Sequence, residues 1–348
     1  MIYQIRVFSV FFIFLTLACG KNEINPEDYP INTLNEDLVV LKEREFQDSL
    51  QLIDSFIFHG EPLGFSIESG DLYILELFSK DFYRLSVKGD ILAKYPIGKG
   101  EGPNELLNPI NFFFKRGKLD IVDVGNLTVK RYLLGDQILE LHGDFKVKNT
   151  IYKMSKIDDE EYVFISNKKQ GLDFRTIDIN GKSKSIEFVN ELFFPVEAAG
   201  MHYDGRMEVF GDKIYYFLMG NSKFLCFKKD KLEYIGEMIH LVPRRNIQQI
   251  GNMTRVVSFE TAVFDFDVDE KFIYLLSGVY MRKLGEDTFS LDIYDATNGN
   301  YLYSYHLPFH PETDQYLPQG IKVDGDFIYV QFEEGAFAVF EKPQGLDV

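Results

Sequence analysis

The chain has 348 residues, of which 45% are hydrophobic, a content typical of a globular protein rather than a disordered one. Its 54 acidic and 37 basic residues give a formal net charge of -17, which disfavours nucleic-acid binding because the molecule repels phosphates. The 33 Phe and 20 Tyr residues, with no Trp, favour many half-buried β-strands over a helix bundle.

The first feature in chain order is an apolar segment that ends at a cysteine. The run from Val7 to Leu17 has the length of a secretory signal sequence and is short for a transmembrane helix. The sequence Thr16-Leu-Ala-Cys-Gly20 resembles a bacterial lipobox, which implies cleavage before Cys19 and acylation of that residue. Residues 1–18 are therefore predicted to be a lipoprotein signal peptide. An uncleaved anchor and an ordinary signal peptide are the alternatives.

Residues 19–45 are predicted to be a tether that holds the folded part away from the membrane. They are polar and acidic and contain Pro26 and Pro30. A first strand is expected within Leu50 to Phe58, and residues 46–348 are predicted to form a single domain.

A unit then recurs along the chain, in which a turn is followed by an apolar β-run and a second alternating strand. Its six instances begin at Gly70, Gly117, Asp159, Gly211, Asp269 and Gly325, which are 47, 42, 52, 58 and 56 residues apart. Turn sequences such as Asn180-Gly181 separate the outer strands of the units. Units of about 40 to 50 residues with four short strands each are typical of a β-propeller.

The stretch from Gly98 to Gly135 carries a family resemblance. Its glycine connector with Pro109, its strand Gly117-Lys-Leu-Asp-Ile-Val-Asp123 and its Asn126 resemble an NHL-type repeat. Together with the lipobox, the whole chain resembles the six-bladed, TolB-like propeller lipoproteins of Bacteroidetes. The resemblance implies a cell-envelope protein, anchored by lipid and facing either side of the outer membrane.

The last unit has room for about three strands before the chain ends. Because a ring of blades needs every edge paired, a strand from Leu50 to Phe58 is predicted to complete the C-terminal blade. The fold class is thus all-β: one six-bladed β-propeller with four-stranded antiparallel blades, closed by an N-terminal strand.

Two acidic patterns raise the question of a divalent cation. Asp265, Asp267 and Asp269 have the spacing with which a calcium loop begins, but Glu270 stands where that loop needs glycine. In a strand, the three aspartates would share one face, as a solvated edge or, alternatively, as cation ligands facing the central channel. Asp123 and Asn126 permit the same alternative, a cation site that faces the central channel.

The remaining candidates are basic. His306 and His310 are four residues apart, but Pro308 between them argues against a shared helical face, so they are a weak metal candidate. Arg244, Arg245 and Arg255 lie in the long connection from Pro243 to Phe259, where they could clamp a carboxylate or phosphate or remain solvated. Gly98-x-Gly-x-Gly102-Pro103 lacks the following helix that a pyrophosphate needs and is predicted to be an interblade turn.

No catalytic residue is assigned and no cofactor is expected, apart from the cation alternative. The sequence favours a monomeric, non-catalytic binding or assembly module for an envelope protein or glycan, attached to the membrane through Cys19. The alternative is a divalent-metal hydrolase or lyase with its site at the channel mouth.

Overall fold

The computed structural model describes residues 39–136, 138–168, 171–186, 204–220, 222–228, 231–242, 246–250, 253–258, 261–278, 289–312 and 316–343. The predicted signal peptide, Cys19, Arg244 and Arg245 lie outside these ranges. Within them, no helix has the length and apolar character needed to span a membrane.

Three strands precede the first blade: β1 (Val39–Val40), β2 (Phe46–Ser49) and β3 (Leu52–Ile57). Blade one consists of β4 (Pro62–Glu68), β5 (Asp71–Glu76), β6 (Phe82–Leu85) and β7 (Ile91–Tyr95). Blade two consists of β8 (Pro109–Lys115), β9 (Lys118–Asp123), β10 (Thr128–Leu134) and β11 (Leu139–Lys146). Blade three consists of β12 (Lys153–Lys156), β13 (Glu161–Lys168), β14 (Gly171–Asp178) and β15 (Ser183–Ser185).

Blade four consists of β16 (Gly205–Phe210), β17 (Lys213–Leu218), β18 (Lys223–Lys228) and β19 (Lys231–Glu237). The connection to blade five carries β20 (His240–Leu241), β21 (Asn246–Ile250) and β22 (Met253–Ser258). Blade five consists of β23 (Val263–Val268), β24 (Phe272–Ser277), β25 (Phe289–Asp295) and β26 (Tyr301–Leu307). Blade six contains β27 (Pro318–Asp324), β28 (Phe327–Phe332) and β29 (Ala336–Glu341), with a short 3-10 turn at Glu333–Gly335.

The blades form a closed ring, which confirms the predicted six-bladed propeller. Within each blade the strands given above pair antiparallel in sequence order, and the first strands of neighbouring blades contact one another around the centre, β27 meeting β4. The N-terminal strand β3 pairs with β29, placing Phe56 opposite Phe337, and so supplies the fourth strand of blade six. The predicted closure by an N-terminal strand is therefore also confirmed.

The turn residues explain why the first two strands of each blade form a hairpin. In four blades the turn contains a glycine with positive φ, at Gly70, Gly117, Gly211 and Gly325. In blade five an aspartate replaces it: Asp269 Oδ1 accepts hydrogen bonds from the backbone N–H groups of Lys271 and Phe272 at 2.8 Å. Glycine provides the left-handed backbone without a steric cost, and aspartate closes the turn with its side chain.

The hydrophobic core lies between the blades. Six buried clusters occur in the described residues, each shared by two neighbouring blades. The cluster between blades four and five, for example, includes Phe217, Phe224 and Phe266, and the rings of Phe217 and Phe224 stack at 4.2 Å. Stacked sheets with apolar faces explain the high Phe and Tyr content.

The end of the predicted tether contacts the propeller. β1 pairs with β20, and β2 adds to blade five as a fifth strand, parallel to β26. Between them, the Arg44 side chain forms a buried ion pair with Asp292 of β25. Residues 39–49 are thus part of the folded body, while the tether remains a prediction for the preceding residues.

Candidate functional site

The innermost strands carry side chains at matching positions around the central channel. In each blade the innermost strand pairs with the second strand of that blade. We call ring one the six innermost-strand residues that lie opposite the fifth residue of the second strand: Gly64, Asn111, Lys153, Arg206, Asp265 and Gly320. Ring two lies two residues further along: Ser66, Phe113, Ser155, Glu208, Asp267 and Lys322. Because each innermost strand begins at the face that carries the connections between blades, ring one is the nearer ring to that connection face.

Several ring residues bind the free backbone edge of the next blade. Ser66 donates to the Phe114 carbonyl at 3.3 Å, and Asn111 donates to the Met154 carbonyl at 3.1 Å. Arg206 Nε of blade four donates to the Phe264 carbonyl of blade five at 2.8 Å. These bonds satisfy edge groups that no neighbouring strand covers.

Asp265 and Asp267 also bind the backbone edge of the next blade, but as hydrogen-bond acceptors instead of donors. Asp265 Oδ2 accepts from the Ile321 N–H at 3.1 Å, and Asp267 Oδ2 accepts from the Val323 N–H at 2.7 Å. Both carboxylates therefore join blade five to the inner edge of blade six. Both lie on the innermost strand of blade five, and backbone donors of blade six engage them.

Lys322 crosses in front of blade five. Its ammonium group binds Glu208 of blade four and lies 3.7 Å from Asp267 Oδ1. The pKa of Glu208 is raised to about 7: burial and the neighbouring Asp267 and Asp265 carboxylates raise it, and Lys322 opposes them. Burial likewise raises the pKa of Asp267. One ammonium group thus holds together acidic side chains that would otherwise repel one another.

Ring one is cationic on blades three and four. Lys153 Nζ lies 3.4 Å from Asp204 Oδ1, and Arg206 Nε lies 4.0 Å from Asp265 Oδ1. The pKa of Lys153 is lowered mainly by burial; Asp204 opposes this effect, while Arg206 adds to it. The two positive side chains therefore face a common region of the channel wall.

Asp269 departs from the predicted arrangement. The expectation that all three aspartates share one strand face is wrong for this residue because the strand ends at Val268. Its Oδ2 instead accepts hydrogen bonds from Tyr274 Oη at 2.6 Å and from Lys342 Nζ at 2.9 Å. Asp269 thus stabilises the turn and the C-terminal segment.

The two candidate histidines have different surroundings. His306 stacks on Phe46 of β2 at 3.7 Å between ring centroids. His310 is buried, its Nδ1 accepts from the Glu312 N–H at 3.3 Å, and its Nε2 lies 3.3 Å from the Phe337 carbonyl oxygen. Burial lowers the pKa of His310. Across the described ranges, no group of three or more His, Cys, Asp or Glu side chains has an arrangement that could hold a metal ion.

The predicted arginine cluster is described only in part. Arg255 lies on β22, which pairs with β21 in a hairpin between blades four and five, and only the backbone of this hairpin is described. Arg244 and Arg245 lie outside the described residues. The hairpin of β21 and β22 lies in the connection between blades four and five, the blades that carry Arg206 and Asp265.

The glycine-rich stretch is the connection between blades one and two, as predicted. The ammonium group of Lys130 donates to the carbonyl oxygens of Gly102 at 2.9 Å and Pro103 at 3.0 Å, and also to that of Glu105. Asp123 accepts from the Leu107 and Asn108 N–H groups and from Asn126 Nδ2, so its carboxylate organises the same connection. These residues have structural partners instead of facing the channel.

Sequence reasoning missed Lys153, Arg206, Glu208 and Lys322. The available signal was alternation in the strand before each apolar β-run: Gly205-Arg-Met-Glu208 and Gly320-Ile-Lys322 place polar residues at every second position, as Asp265-Phe-Asp267 does. The sequence does not show which of these positions become neighbours, because that depends on the strand register and on the packing of the blades in the ring.

No protein-family model matches the chain. No curated protein matches it either. Among solved structures, a member of the DUF4221 family from Bacteroides vulgatus matches with a TM-score of 0.53 and 11% identity, over 88% of this chain and 98% of that chain. A Bacteroides fragilis protein named as a predicted exported protein matches with a TM-score of 0.48 and 12% identity, over 88% and 96%.

A computationally designed protein, Ika8, matches with a TM-score of 0.43 and 9% identity, over 86% of this chain and 100% of that chain. At 11% identity the Bacteroides vulgatus match shows a shared fold alone.

Proposed function

We propose that the chain is a lipid-anchored, non-catalytic binding module of the cell envelope, and that ring one at the connection face is its binding site. The observation that carries this proposal is that the acidic and the basic side chains of the innermost strands differ in how far their polar atoms are already hydrogen-bonded. The acidic side chains Asp265 and Asp267 are engaged by backbone N–H groups, whereas Arg206 keeps its terminal guanidinium donors after Nε has bound the Phe264 carbonyl.

The competing function is a divalent-metal hydrolase or lyase, which needs carboxylates that are free to bind a cation. In this channel a metal ion would have to displace Lys322 from Glu208 and compete with the N–H groups of Ile321 and Val323. A binding role requires no such rearrangement. We infer that the partner is a protein or glycan of the envelope and that the chain is monomeric.

The test of the binding role against the metal enzyme is a melting experiment on the purified full-length chain after EDTA treatment. We expect no change in Tm on addition of Ca²⁺, Mg²⁺ or Zn²⁺. A resident metal at a hundred times its Kd would add about 2.7 kcal/mol and raise Tm by about one degree or more. The variant Asp267→Asn is the control, because a shift that it abolishes comes from the channel. Such a shift would contradict the proposed function.

The anchor is tested separately. Cys19→Ala removes the residue that the lipobox resemblance marks for acylation. We expect the wild-type chain in the membrane fraction and the variant in the soluble fraction. Unchanged fractionation of the variant would contradict lipid anchoring and would leave the channel site unaffected.

A further inference from the structure

Lys153 and Arg206 occupy equivalent positions on neighbouring blades. The described partners of the Lys153 ammonium group are Asp204, at the long distance of 3.4 Å, and the ring of Tyr152, whose centroid is 5.7 Å away; the Lys153 side chain keeps 30% exposure. The Arg206 side chain is 40% exposed, and only its Nε donates to a backbone carbonyl among the contacts described. The two cations raise each other's energy, the nearby Asp204 and Asp265 carboxylates oppose this repulsion, and an anion bound between the cations would oppose it further.

The opposite wall of ring one carries no side chains. Gly64 of blade one and Gly320 of blade six lie across a six-membered ring from blades four and three. A Cβ atom added at Gly64 would meet only Phe112, at 3.9 Å, so there is room beside Gly64, whereas one added at Gly320 would lie 3.2 Å from Phe65 and 3.6 Å from Asp265 Oδ2. Ring one therefore combines two cations on one wall with open space at Gly64 on the other.

We propose that ring one binds a carboxylate group of the ligand, held by Arg206 and Lys153, with the neighbouring part of the ligand over Gly64. This proposal rests on the proposed function and specifies its ligand. The planar guanidinium group donates two parallel N–H bonds that match a carboxylate. A single negative charge fits best, because Asp204 and Asp265 already lie beside the two cations and would repel a phosphate dianion.

The test compares acids with their neutral amides on the full-length protein. Glucuronate is paired with glucuronamide and N-acetylalanine with its amide, and binding is measured by calorimetry. We expect at least one acid to bind at millimolar concentration or below, and its amide to bind at least about tenfold more weakly. The two pairs separate a sugar acid from an amino-acid derivative as the source of the carboxylate.

Two variants probe opposite walls of the site. Arg206→Gln removes the guanidinium donors, and Gly64→Val fills the open space without changing a charge. We expect each to weaken acid binding about tenfold or more. Arg84→Gln is the matched control, since Arg84 pairs with Asp71 outside the channel and is 43% exposed. It should leave acid binding unchanged.

Three results would overturn this assignment: no binding of either acid, equal binding of acid and amide, or acid binding that survives both Arg206→Gln and Gly64→Val. Gly64→Val keeps the test decisive if the arginine variant folds poorly. These failures are distinguishable from failure of the proposed function, because they concern the ligand class, whereas a metal-dependent Tm shift concerns the binding role itself.

Discussion

Arg44 joins the N-terminal segment to the ring through a buried ion pair. Its Nε and Nη2 donate to the two carboxylate oxygens of Asp292 at 2.8 and 3.0 Å, and its Nη2 also donates to Ser277 Oγ at 2.9 Å. Ser304 Oγ donates to Asp292 Oδ1 at 2.7 Å. The side chains of Arg44 and Asp292 are only 3% and 2% exposed, so the loss of either one leaves the other charge buried without a counter-charge.

We expect Arg44→Gln to lower the free energy of unfolding by about 3–5 kcal/mol, because it leaves the Asp292 carboxylate buried without its counter-charge. The matched control is Lys42→Gln, since Lys42 forms a surface pair with Glu45 at 49% and 60% exposure. It should change stability by less than about 1 kcal/mol. Urea unfolding of the three proteins measures both effects, and equal losses in the two variants would contradict the assigned role of Arg44.

At the scale of elements, the small sheet of β1 and β20 carries a titratable group in a buried position. His240 pairs with Val40 in this sheet and is 3% exposed. Burial, together with the positive charge of Arg44, lowers the pKa of His240 to about 4, and Asp292 opposes the shift only in part. The folded protein therefore keeps this imidazole neutral over a range in which the unfolded chain takes up a proton.

This difference predicts an acid sensitivity with a defined sign. Because the folded-state pKa lies below the unfolded value of 6.5, the contribution of His240 is complete above pH 6.5 and is lost as the pH falls towards about 4. The loss amounts to about 3 kcal/mol at most. We expect His240→Asn to remove this part of the pH dependence of urea unfolding, whereas His142→Gln, on an exposed position of β11, should retain it. Identical pH profiles for wild type and His240→Asn would contradict the prediction.

The elements were largely predictable from the chain, because hairpin chemistry is local. Gly70, Gly117 and Gly325 each stand where a left-handed turn residue joins two strands, and the sequence shows them directly. The predicted position of Asp269 was wrong because the sequence gives no strong local signal for the end of a strand. The strand ends at Val268, so the Asp269 side chain no longer lies on the face shared by Asp265 and Asp267. The candidate site was not predictable, since Lys153 and Arg206 belong to separate blades and become neighbours only through packing.

At the scale of the whole molecule, stability depends on closing the ring. β3 comes from the start of the domain and β29 from its end, and their pairing covers an edge that would otherwise be exposed. Phe337 lies at this junction, 5.1 Å from Phe56 of β3 and 5.3 Å from Phe65 of blade one between ring centroids. Loss of β3 thus removes both a strand and part of the apolar packing between blades six and one.

We expect a chain that lacks residues 1–57, and with them both β3 and Arg44, to melt at least about 5 °C below the full-length protein and to associate through the free edge of β29. A synthetic peptide of residues 46–58, added in excess, should restore part of the lost Tm, because it can pair with β29 in the native register. The control peptide carries Phe56→Pro, which removes a backbone donor and the ring that stacks on Phe337. Equal rescue by both peptides would show that closure does not depend on this pairing. An unchanged Tm in the truncated chain would show that the ring is held shut by its interblade clusters alone.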